Sequence, residues 1–374
     1  MRKNTGRRSW GYLLLGLALL TACGGGGPSG GAIRVGLIVP SSSDIPGIAR
    51  AVSEGAALAA AEINNGRGIH GRRLNVLATD DRGDPAESAR LVAHLAAQGV
   101  VAILGPVTDG GVIAASPVAE RERVVIISPG ATGPLPYGGH FVFRTATPAG
   151  AQARAMAAYL VDRLRARRIA VVSDSNEYGS MVALAFEQAV RERDGIITSR
   201  RLYRDGEKDF SRHVRGVLAE RAQALFVAGY PDEAALLIRQ ARAAGRDLII
   251  AGSDALYSED TATWAGAAAN QIYVPAAFLP TVPLPLVRAF VVAYRKAYSR
   301  SPDQYAAQAY DGVKLIAVAL RRAGTDRERL RDAVAALRRV PGVTGEFSFD
   351  ARGDPIRVVI ITRVTGGRFF TAAP

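Results

Sequence analysis

The chain has 374 residues, of which 48% are hydrophobic and 22% are charged, and a single cysteine, Cys23. This is ordinary globular composition with material for about two domains, so it excludes a largely disordered or collagen-like chain. One cysteine also excludes an intramolecular disulfide framework and a multi-cysteine zinc site. The net charge is +13, yet only four of the 47 basic residues are lysines, and the arginines are scattered. No basic run is interleaved with stacking aromatic residues, so the sequence predicts no nucleic-acid partner.

The N-terminal segment has the features of a targeting sequence. A basic stretch precedes an apolar stretch at 10–20 that is too short to span a membrane. We therefore predict a secretory signal peptide at 1–22. Its end, Leu20-Thr21-Ala22-Cys23, is similar to the bacterial lipobox, which implies that Cys23 is lipidated and that the Gly-rich residues 23–31 form a flexible tether. The alternative is an ordinary signal peptide with an incidental cysteine.

Apolar and amphipathic segments alternate through the body of the chain. Short β-branched runs predict strands, and apolar residues at helical spacing predict helices. In chain order we predict strand 33–39, helix 47–64, strand 74–79, helix 85–98, strand 100–104, helix 110–121, strand 124–127 and strand 141–144.

The alternation then restarts. In chain order we predict helix 148–167, strand 169–173, helix 178–194, strand 196–202, helix 210–220, strand 224–228, helix 231–244, strand 248–251 and strand 272–275. Continuous apolar runs such as 124–127 fit parallel strands that are buried on both faces. Two consecutive series of this kind argue for two doubly wound α/β lobes.

The last third of the chain has a different order. It is predicted to contain helices 284–299, 303–322 and 326–339, then strand-like segments at 347–349 and 356–364. Helices that complete one lobe and strands that complete the other would make the chain cross between the lobes more than twice.

Motifs for covalent or metal chemistry are missing from the sequence. There is no HExxH, no GxxxxGK[ST] and no GxSxG, and the four histidines have no ligand-like spacing. The only cysteine lies in the segment that is similar to a lipobox. We therefore predict that the protein is not an enzyme and needs no metal or cofactor.

Two loops that follow predicted strands are rich in Gly, Ser and Thr, namely 105–111 and 128–133. Ligands of open α/β lobes bind beyond the carboxyl ends of the strands. Exposed backbone N–H groups and hydroxyls in these loops would suit a small anionic group such as a carboxylate. Ordinary turn and N-cap chemistry is the alternative for each loop taken singly.

Short motifs between about residues 32 and 365 form an ordered set. They are Ala61-Glu62-Ile63-Asn64, Gly68-Ile69-His70-Gly71-Arg72, Asp80-Asp81, Asp84-Pro85, Ala115-Ser116-Pro117, Ile127-Ser128-Pro129-Gly130-Ala131-Thr132, Phe143-Arg144-Thr145, Tyr178-Gly179, Lys208-Asp209-Phe210-Ser211, Gly229-Tyr230-Pro231-Asp232-Glu233, Arg239-Gln240-Ala241-Arg242, Tyr310-Asp311, Gly342-Val343-Thr344-Gly345 and Phe349-Asp350. In this order they resemble the leucine/isoleucine/valine-binding family of periplasmic solute-binding proteins.

The resemblance implies a type I periplasmic binding protein, which is an α/β fold of two Rossmann-like lobes that close on a ligand. Three hinge crossings would fall near Thr145, Val274 and Gly345. On this basis lobe 1 comprises residues 32–145 and 276–342, and lobe 2 comprises residues 146–275 and 343–374.

The resemblance also implies ligand contacts on both lobes. These are Gly130, Ala131 and Thr132 for the carboxylate of an amino acid, Tyr178 and Tyr230 as aromatic walls, and Asp254 for the ammonium group. Asp254 is one carbon shorter than the glutamate that is usual in the founding members. As alternatives, Asp254 is the N-cap of a helix at 257–268, and the two tyrosines are packing aromatics.

One residue departs from the family pattern. Asp109 stands where the family usually places a serine hydroxyl on the ligand carboxylate, and two carboxylates there would repel in a poorly hydrated cleft. Either Asp109 turns away as an N-cap and Thr108 supplies the hydroxyl, or the ligand is not an ordinary amino acid. An amide, an amine or another uncharged polar molecule would then fit better.

The function that these observations predict is that of a solute-binding lipoprotein of an ABC importer. Its partners would be a small ligand, a permease with its ATPase, and a bacterial membrane reached through the lipid on Cys23, on the periplasmic or cell-surface side. We expect a monomer. The alternative is a non-transport sensor or cell-wall regulatory lipoprotein on the same fold, because a fold alone does not fix function.

Overall fold

A computed structural model describes residues 31–43, 45–136, 140–245 and 247–372. The predicted signal peptide, Cys23 and most of the predicted tether lie outside the described residues. The first series of elements is β1 (Ile33–Val39), α1 (Pro46–Asn65), β2 (Leu74–Asp80), α2 (Pro85–Ala97), β3 (Ala102–Leu104), α3 (Asp109–Glu122), β4 (Val125–Ser128) and β5 (Val142–Arg144).

The second series begins after residue 148. It comprises α4 (Ala149–Ala158), β6 (Arg168–Asp174), α5 (Glu177–Arg191), β7 (Ile196–Tyr203), α6 (Ser211–Ala219), β8 (Ala224–Ala228), α7 (Pro231–Ala243), β9 (Ile249–Gly252), α8 (Glu259–Ala265) and β10 (Ile272–Ala276). The predicted helix 148–167 is shorter, because α4 passes into a π-helical turn at Tyr159–Arg163.

The third series contains three helices and two hairpins. It comprises α9 (Pro285–Tyr298), α10 (Gln304–Ala323), α11 (Arg327–Ala335), β11 (Val340–Gly342), β12 (Gly345–Phe347), β13 (Ile360–Thr365) and β14 (Arg368–Thr371). The sequence prediction omitted β11 and β14. Pro341 and Gly342 are unfavourable in strands, so the sequence of β11 does not have a strand pattern. Gly366-Gly367 before β14 is a hairpin signal.

Two main sheets organise the described residues. The first has the order β2-β1-β3-β4-β5 and is parallel throughout. The second has the order β14-β13-β10-β9-β8-β6-β7, in which β13 and β14 are antiparallel to their neighbours and the other strands are parallel. In both sheets the strand order departs from the chain order, as in doubly wound folds, so the predicted fold class is confirmed.

Each sheet carries its own hydrophobic core. The first sheet packs with α1, α10 and the other nearby helices in one continuous cluster. The second sheet has a cluster on each face, because successive residues of a strand point to opposite sides. Ala170 and Val172 of β6 lie in one cluster, and Ile169 and Val171 lie in the other. The two sheets therefore define two lobes.

The chain passes between the lobes three times within the described residues, after β5, after β10 and before β13. The third crossing lies later than predicted. Residues 343–374 were assigned to lobe 2, but Val343, Phe347 and Phe349 are buried in the core of lobe 1. They belong to lobe 1 because the apolar side chains of the β11–β12 hairpin pack in the core of that lobe. The change of lobe therefore falls between Phe349 and Ile360.

Polar contacts connect two of these crossings to α10. Asp311 of α10 accepts hydrogen bonds from the N–H of Val343 at 2.8 Å and from the N–H and Oγ1 of Thr344 at 2.9 and 2.7 Å. Arg357 donates to Thr344 Oγ1 at 2.8 Å and to the carbonyl of Thr145. The first and third crossings are thus joined beside lobe 1, where a hinge rotation would act.

Candidate functional site

The residues that the resemblance singled out lie at the carboxyl ends of the parallel strands. Thr108 and Asp109 follow β3, and residues 130–132 follow β4. In lobe 2, Tyr178 follows β6, Tyr230 follows β8, and Asp254 follows β9. Because the carboxyl ends of parallel strands share one edge of a sheet, each lobe gathers its residues at one edge.

Two loops of lobe 1 are joined by direct contacts. Ser128 Oγ donates to the carbonyl of Pro106 at 2.6 Å. Gly130 approaches the neighbouring loop so closely that a Cβ on it would lie 2.6 Å from Val107, which a side chain does not tolerate. The N–H of Gly133 donates to Asp109 Oδ1 at 2.8 Å. The two loops therefore form one rigid wall of the candidate site.

Thr108, and not Asp109, is the N-cap of α3. Its Oγ1 accepts the N–H of Gly111 at 3.2 Å, so this hydroxyl is used within the helix. Asp109 occupies the first turn, where a negative charge is favourable, and its carboxylate faces the loop that contains Gly133. The expectation that Asp109 turns away as the cap is therefore wrong.

The carboxyl group of Asp109 is partly buried. Burial raises its pKa, while the N–H of Gly133 and the charge of Arg144 lower it in part, and the charge of Glu177 in the other lobe raises it. The net direction is upward. Asp109 is thus a partly desolvated acid that is stabilised mainly by backbone donors.

Arg144 lies beneath the same loop and is 1% exposed. Its guanidinium donates to the carbonyls of Ala131 and Gly133 and forms an ion pair with Asp354 at 2.6 Å. Asp354 belongs to the segment of the third crossing, so Arg144 links the loop 128–133 to that crossing. Arg144 belongs to a motif of the resemblance, yet sequence reasoning gave it no role.

In lobe 2, Asp254 has two side-chain donors. Tyr178 Oη donates to its Oδ1 at 2.8 Å, and Gln152 Nε2 donates to its Oδ2 at 3.1 Å. Burial raises the pKa of Asp254, these two donors lower it in part, and the charge of Asp109 raises it further. The alternative reading of Asp254 as a helix N-cap is wrong, because Ser258 caps α8.

Tyr178 and Tyr230 stack on each other, with ring centroids 5.1 Å apart and an interplanar angle of 21°. Tyr178 is half-buried, whereas the side chain of Tyr230 is 37% exposed. Burial and the charge of Asp254 raise the pKa of Tyr178 well above its ordinary value, so its hydroxyl remains a donor. The pair is an aromatic surface beside a carboxylate.

The two lobes meet around these side chains. Gln304 of α10 donates to the carbonyl of Asp254 at 3.3 Å, and a Cβ on Gly133 would lie 3.1 Å from Met181 Sδ of α5. Burial raises the pKa of Tyr305, and the charge of Asp254 raises it further, so Tyr305 of lobe 1 also faces lobe 2. No sequence pattern singles out Gln152, Gln304 or Tyr305, because each lies in an ordinary helical segment.

A small cavity of about 10 Å³ is lined in part by Asp254. It has room for about one water molecule and is lined mainly by apolar side chains, with Gln152 and Ser253 beside Asp254. This space is too small for an amino acid.

Metal clusters and membrane-spanning helices are both absent from the part of the chain that the structure describes. No cluster of three or more His, Cys, Asp or Glu residues there is arranged to hold a metal ion. None of the helices in this part is long and apolar enough to cross a bilayer. Cys23, the predicted point of lipid attachment, falls outside it.

Comparisons with known proteins agree with this architecture. The structure of the branched-chain amino acid transporter substrate binding protein LivJ from Streptococcus pneumoniae, in complex with isoleucine, matches with a TM-score of 0.80 and 29% identity, over 90% of this chain and 97% of that one. The leucine binding protein LivK from Thermotoga maritima matches with a TM-score of 0.82 and 27% identity, over 91% and 98%.

Sequence relatives have similar names. Leu/Ile/Val-binding protein homolog 3 of Brucella melitensis is 28% identical over 86% of this chain and 88% of the relative. The leucine-, isoleucine-, valine-, threonine- and alanine-binding protein of Pseudomonas aeruginosa is 27% identical over 86% and 87%. These names describe binding proteins and not enzymes, in agreement with the sequence prediction. Because the periplasmic binding protein family model matches residues 32–368, the chain belongs to that family.

Proposed function

We propose that the protein is the solute-binding subunit of an ABC importer and that its lobes close on a small polar solute that carries an amino group. One observation carries this proposal: the carboxyl ends of the strands in both lobes bring acidic and aromatic side chains to a common cleft. The relatives are named for binding leucine, isoleucine and valine, which all carry an ammonium group. In this protein, Asp254 is the acceptor that we assign to such a group.

Asp254 is prepared for this role before a solute arrives. Tyr178 and Gln152 fix its two oxygens, and each carboxylate oxygen can accept a further hydrogen bond. A charge-assisted hydrogen bond from an ammonium group would be strong there because water is partly excluded. Closure would add contacts from lobe 1, so the solute would stabilise the closed state by its greater affinity for that state.

The remaining parts of the proposal concern location and partners. Signal cleavage would place the body outside the cytoplasm, and a lipid on Cys23 would hold it at the membrane through the tether. The closed monomer would dock on a permease whose ATPase supplies the energy. No chemical conversion of the solute is needed.

Small-angle scattering tests closure directly. We expect the radius of gyration of the protein to fall when a binding solute is added to saturation, because the lobes rotate together. The matched control is Asp254→Asn at the same solute concentration, which should stay open. A radius that remains constant at proven saturation would contradict closure.

Membrane fractionation tests the anchor. The wild-type protein, expressed with its own signal in a bacterial host, should sediment with membranes and carry a lipid by mass spectrometry. The Cys23→Ser variant should appear in the soluble fraction. If both proteins fractionate alike and neither carries lipid, the lipoprotein part of the proposal is wrong, whereas solute binding is unaffected.

A further inference from the structure

Two backbone donors of the loop 128–133 in lobe 1 are already in use. The N–H of Ala131 donates to Ser128 Oγ at 3.1 Å, and the N–H of Gly133 donates to Asp109 Oδ1 at 2.8 Å. The carbonyls of Ala131 and Gly133 are bound by Arg144. The loop therefore holds a carboxylate that belongs to the protein, in the region where the resemblance would place the carboxylate of an amino acid.

The charges around the cleft add up to an acidic site. Arg144 is the basic group nearest this loop, but its charge is matched by Asp354 at 2.6 Å and it lies beneath the loop. The charge of Glu177 in lobe 2 raises the pKa of Asp109, and the charge of Asp109 raises the pKa of Asp254, so the acids of the two lobes lie within electrostatic reach across the cleft. A solute carboxylate would bring another negative charge into a partly desolvated acidic cleft, which is unfavourable.

A cation would be favoured by the same surroundings. Asp254 offers a fixed acceptor, and the faces of Tyr178 and Tyr230 lie beside it. A carboxylate and an aromatic ring both attract an ammonium group. Asp109 Oδ2 has acceptor capacity for a donor at the far end of the solute, because the hydrogen bond from Gly133 uses Oδ1.

Building on the function proposed above, we propose that the solute is an amine without a carboxylate group. Its ammonium would bind Asp254 beside the stacked tyrosines, and its far end would present N–H donors to Asp109. A primary amide, a second amine or a guanidinium group satisfies this requirement. An α-amino acid supplies the ammonium group for Asp254 but not the N–H donors for Asp109, because its carboxylate would face Asp109.

Matched pairs of solutes test this directly. We would titrate the purified protein calorimetrically, near neutral pH and at low salt, with leucine against leucinamide, lysine against cadaverine, and arginine against agmatine. In at least one pair the member without a carboxylate should bind about 30-fold more tightly, which corresponds to about 2 kcal/mol. Acids that bind as tightly as their partners would overturn the inference and leave the importer function intact.

If no member of any pair binds, the inference is overturned as well. The proposed function is then judged separately, by whether any other solute reduces the radius of gyration. The two failures are thus distinguishable.

Variants of Asp109 identify the cause of the selectivity. Asp109→Ser removes the charge and frees the N–H of Gly133, so it should shift the ratio of acid to amine affinity toward the acid by at least about tenfold. Asp109→Asn removes the charge but retains an oxygen for Gly133, so it should weaken amine binding without an equal gain for the acid. Thermal unfolding would verify that both variants fold. An unchanged ratio in folded Asp109→Ser would overturn the inference, and the wild-type pairs test it without any variant.

Discussion

The two walls of the cleft hold their carboxylates in different ways. In lobe 1, Asp109 is held by the N–H of Gly133, and the loop that carries Gly133 is fixed from below by Arg144. In lobe 2, Asp254 is held by the side chains of Tyr178 and Gln152. Burial raises the pKa of both acids. Similar burial is therefore compensated by backbone donors on one wall and by side-chain donors on the other.

This difference suggests a division of roles. Backbone donors belong to the fold, so the wall of Asp109 is stiff and is best suited to setting which solutes are excluded. Side-chain donors orient Asp254 from lobe 2, and each of its oxygens can accept a further hydrogen bond from a solute. We therefore expect changes under lobe 1 to act mainly on stability and changes at Asp254 to act mainly on affinity.

The largest effect should come from breaking the support of lobe 1. Arg144→Met leaves Asp354 and two loop carbonyls without their buried donor, and removal of one partner of a buried ion pair costs about 3 to 5 kcal/mol. Urea denaturation should show this loss. The matched control is Arg352→Met. Arg352 lies on the same turn as Asp354, its side chain is 64% exposed, and it lies 3.9 Å from Asp354. Equal losses in both variants would remove the distinction between the walls.

A third buried acid, Asp311, lies outside the cleft. Burial raises the pKa of Asp311 from 3.8 to about 6, against its donors at Val343 and Thr344. Because the folded-state pKa is raised, the contribution of Asp311 to stability is fully present below about pH 4 and is lost as the pH rises through about 6. A shift of this size corresponds to about 3 kcal/mol.

The Asp311→Asn variant checks this expectation. The free energy of unfolding, measured from about pH 4 to about pH 7, should fall more steeply with rising pH in the wild type than in the variant. Asp332→Asn, at an exposed position of α11, is the control and should follow the wild type. Parallel curves for wild type and Asp311→Asn would show that burial does not raise the pKa of Asp311.

Affinity should depend most on the wall of lobe 2. Asp254→Asn keeps the shape and one acceptor but loses the charge, so the binding of an amine should weaken by about 100-fold, or about 2.7 kcal/mol. Asp109→Asn should cost about tenfold in the same calorimetric titration. Asp260→Asn, in the exposed first turn of α8, is the control. Equal losses at positions 109 and 254 would contradict the division of roles.

Much of the fold could be predicted from local patterns. Apolar runs such as 124–127 became buried strands because each residue packs on one face or the other of a parallel sheet, and strands 33–39 and 224–228 match their predicted bounds. The segment 343–349, which contains β12, was assigned to the wrong lobe, because its apolar side chains could pack in either core. Only the three-dimensional position of α10, beside Val343, decides between them.

The site was predictable only in part. The strand-end loops and Asp109 carried visible signals, since Gly, Ser and Thr after a buried strand are typical of ligand loops. Gly133 lies in a loop that was predicted and Tyr178 was named as a wall, but neither was predicted to bond an acid of the site, and Gln152 carried no signal. Gln152 and Gly133 lie far from these acids in the chain, and Arg144 looked like one of many arginines until the structure showed it buried beneath the loop. Long-range hydrogen bonds of this kind leave no periodic trace in a sequence.

The smallest effect concerns one hydroxyl of lobe 2. Tyr178→Phe keeps the ring that stacks on Tyr230 but removes the donor to Asp254 Oδ1, which is worth about 1 kcal/mol or about fivefold in affinity. The hydroxyl favours the ionised form of Asp254, so its loss raises the pKa of that carboxyl further. The affinity of the variant for an amine should therefore decline at a higher pH than that of the wild type as the solution is acidified.

Tyr257→Phe is the control, because Tyr257 packs against Phe369. Identical pH profiles for Tyr178→Phe and the wild type would mean that Asp254 does not depend on its side-chain donors, and the contrast with the backbone-held Asp109 would then fail.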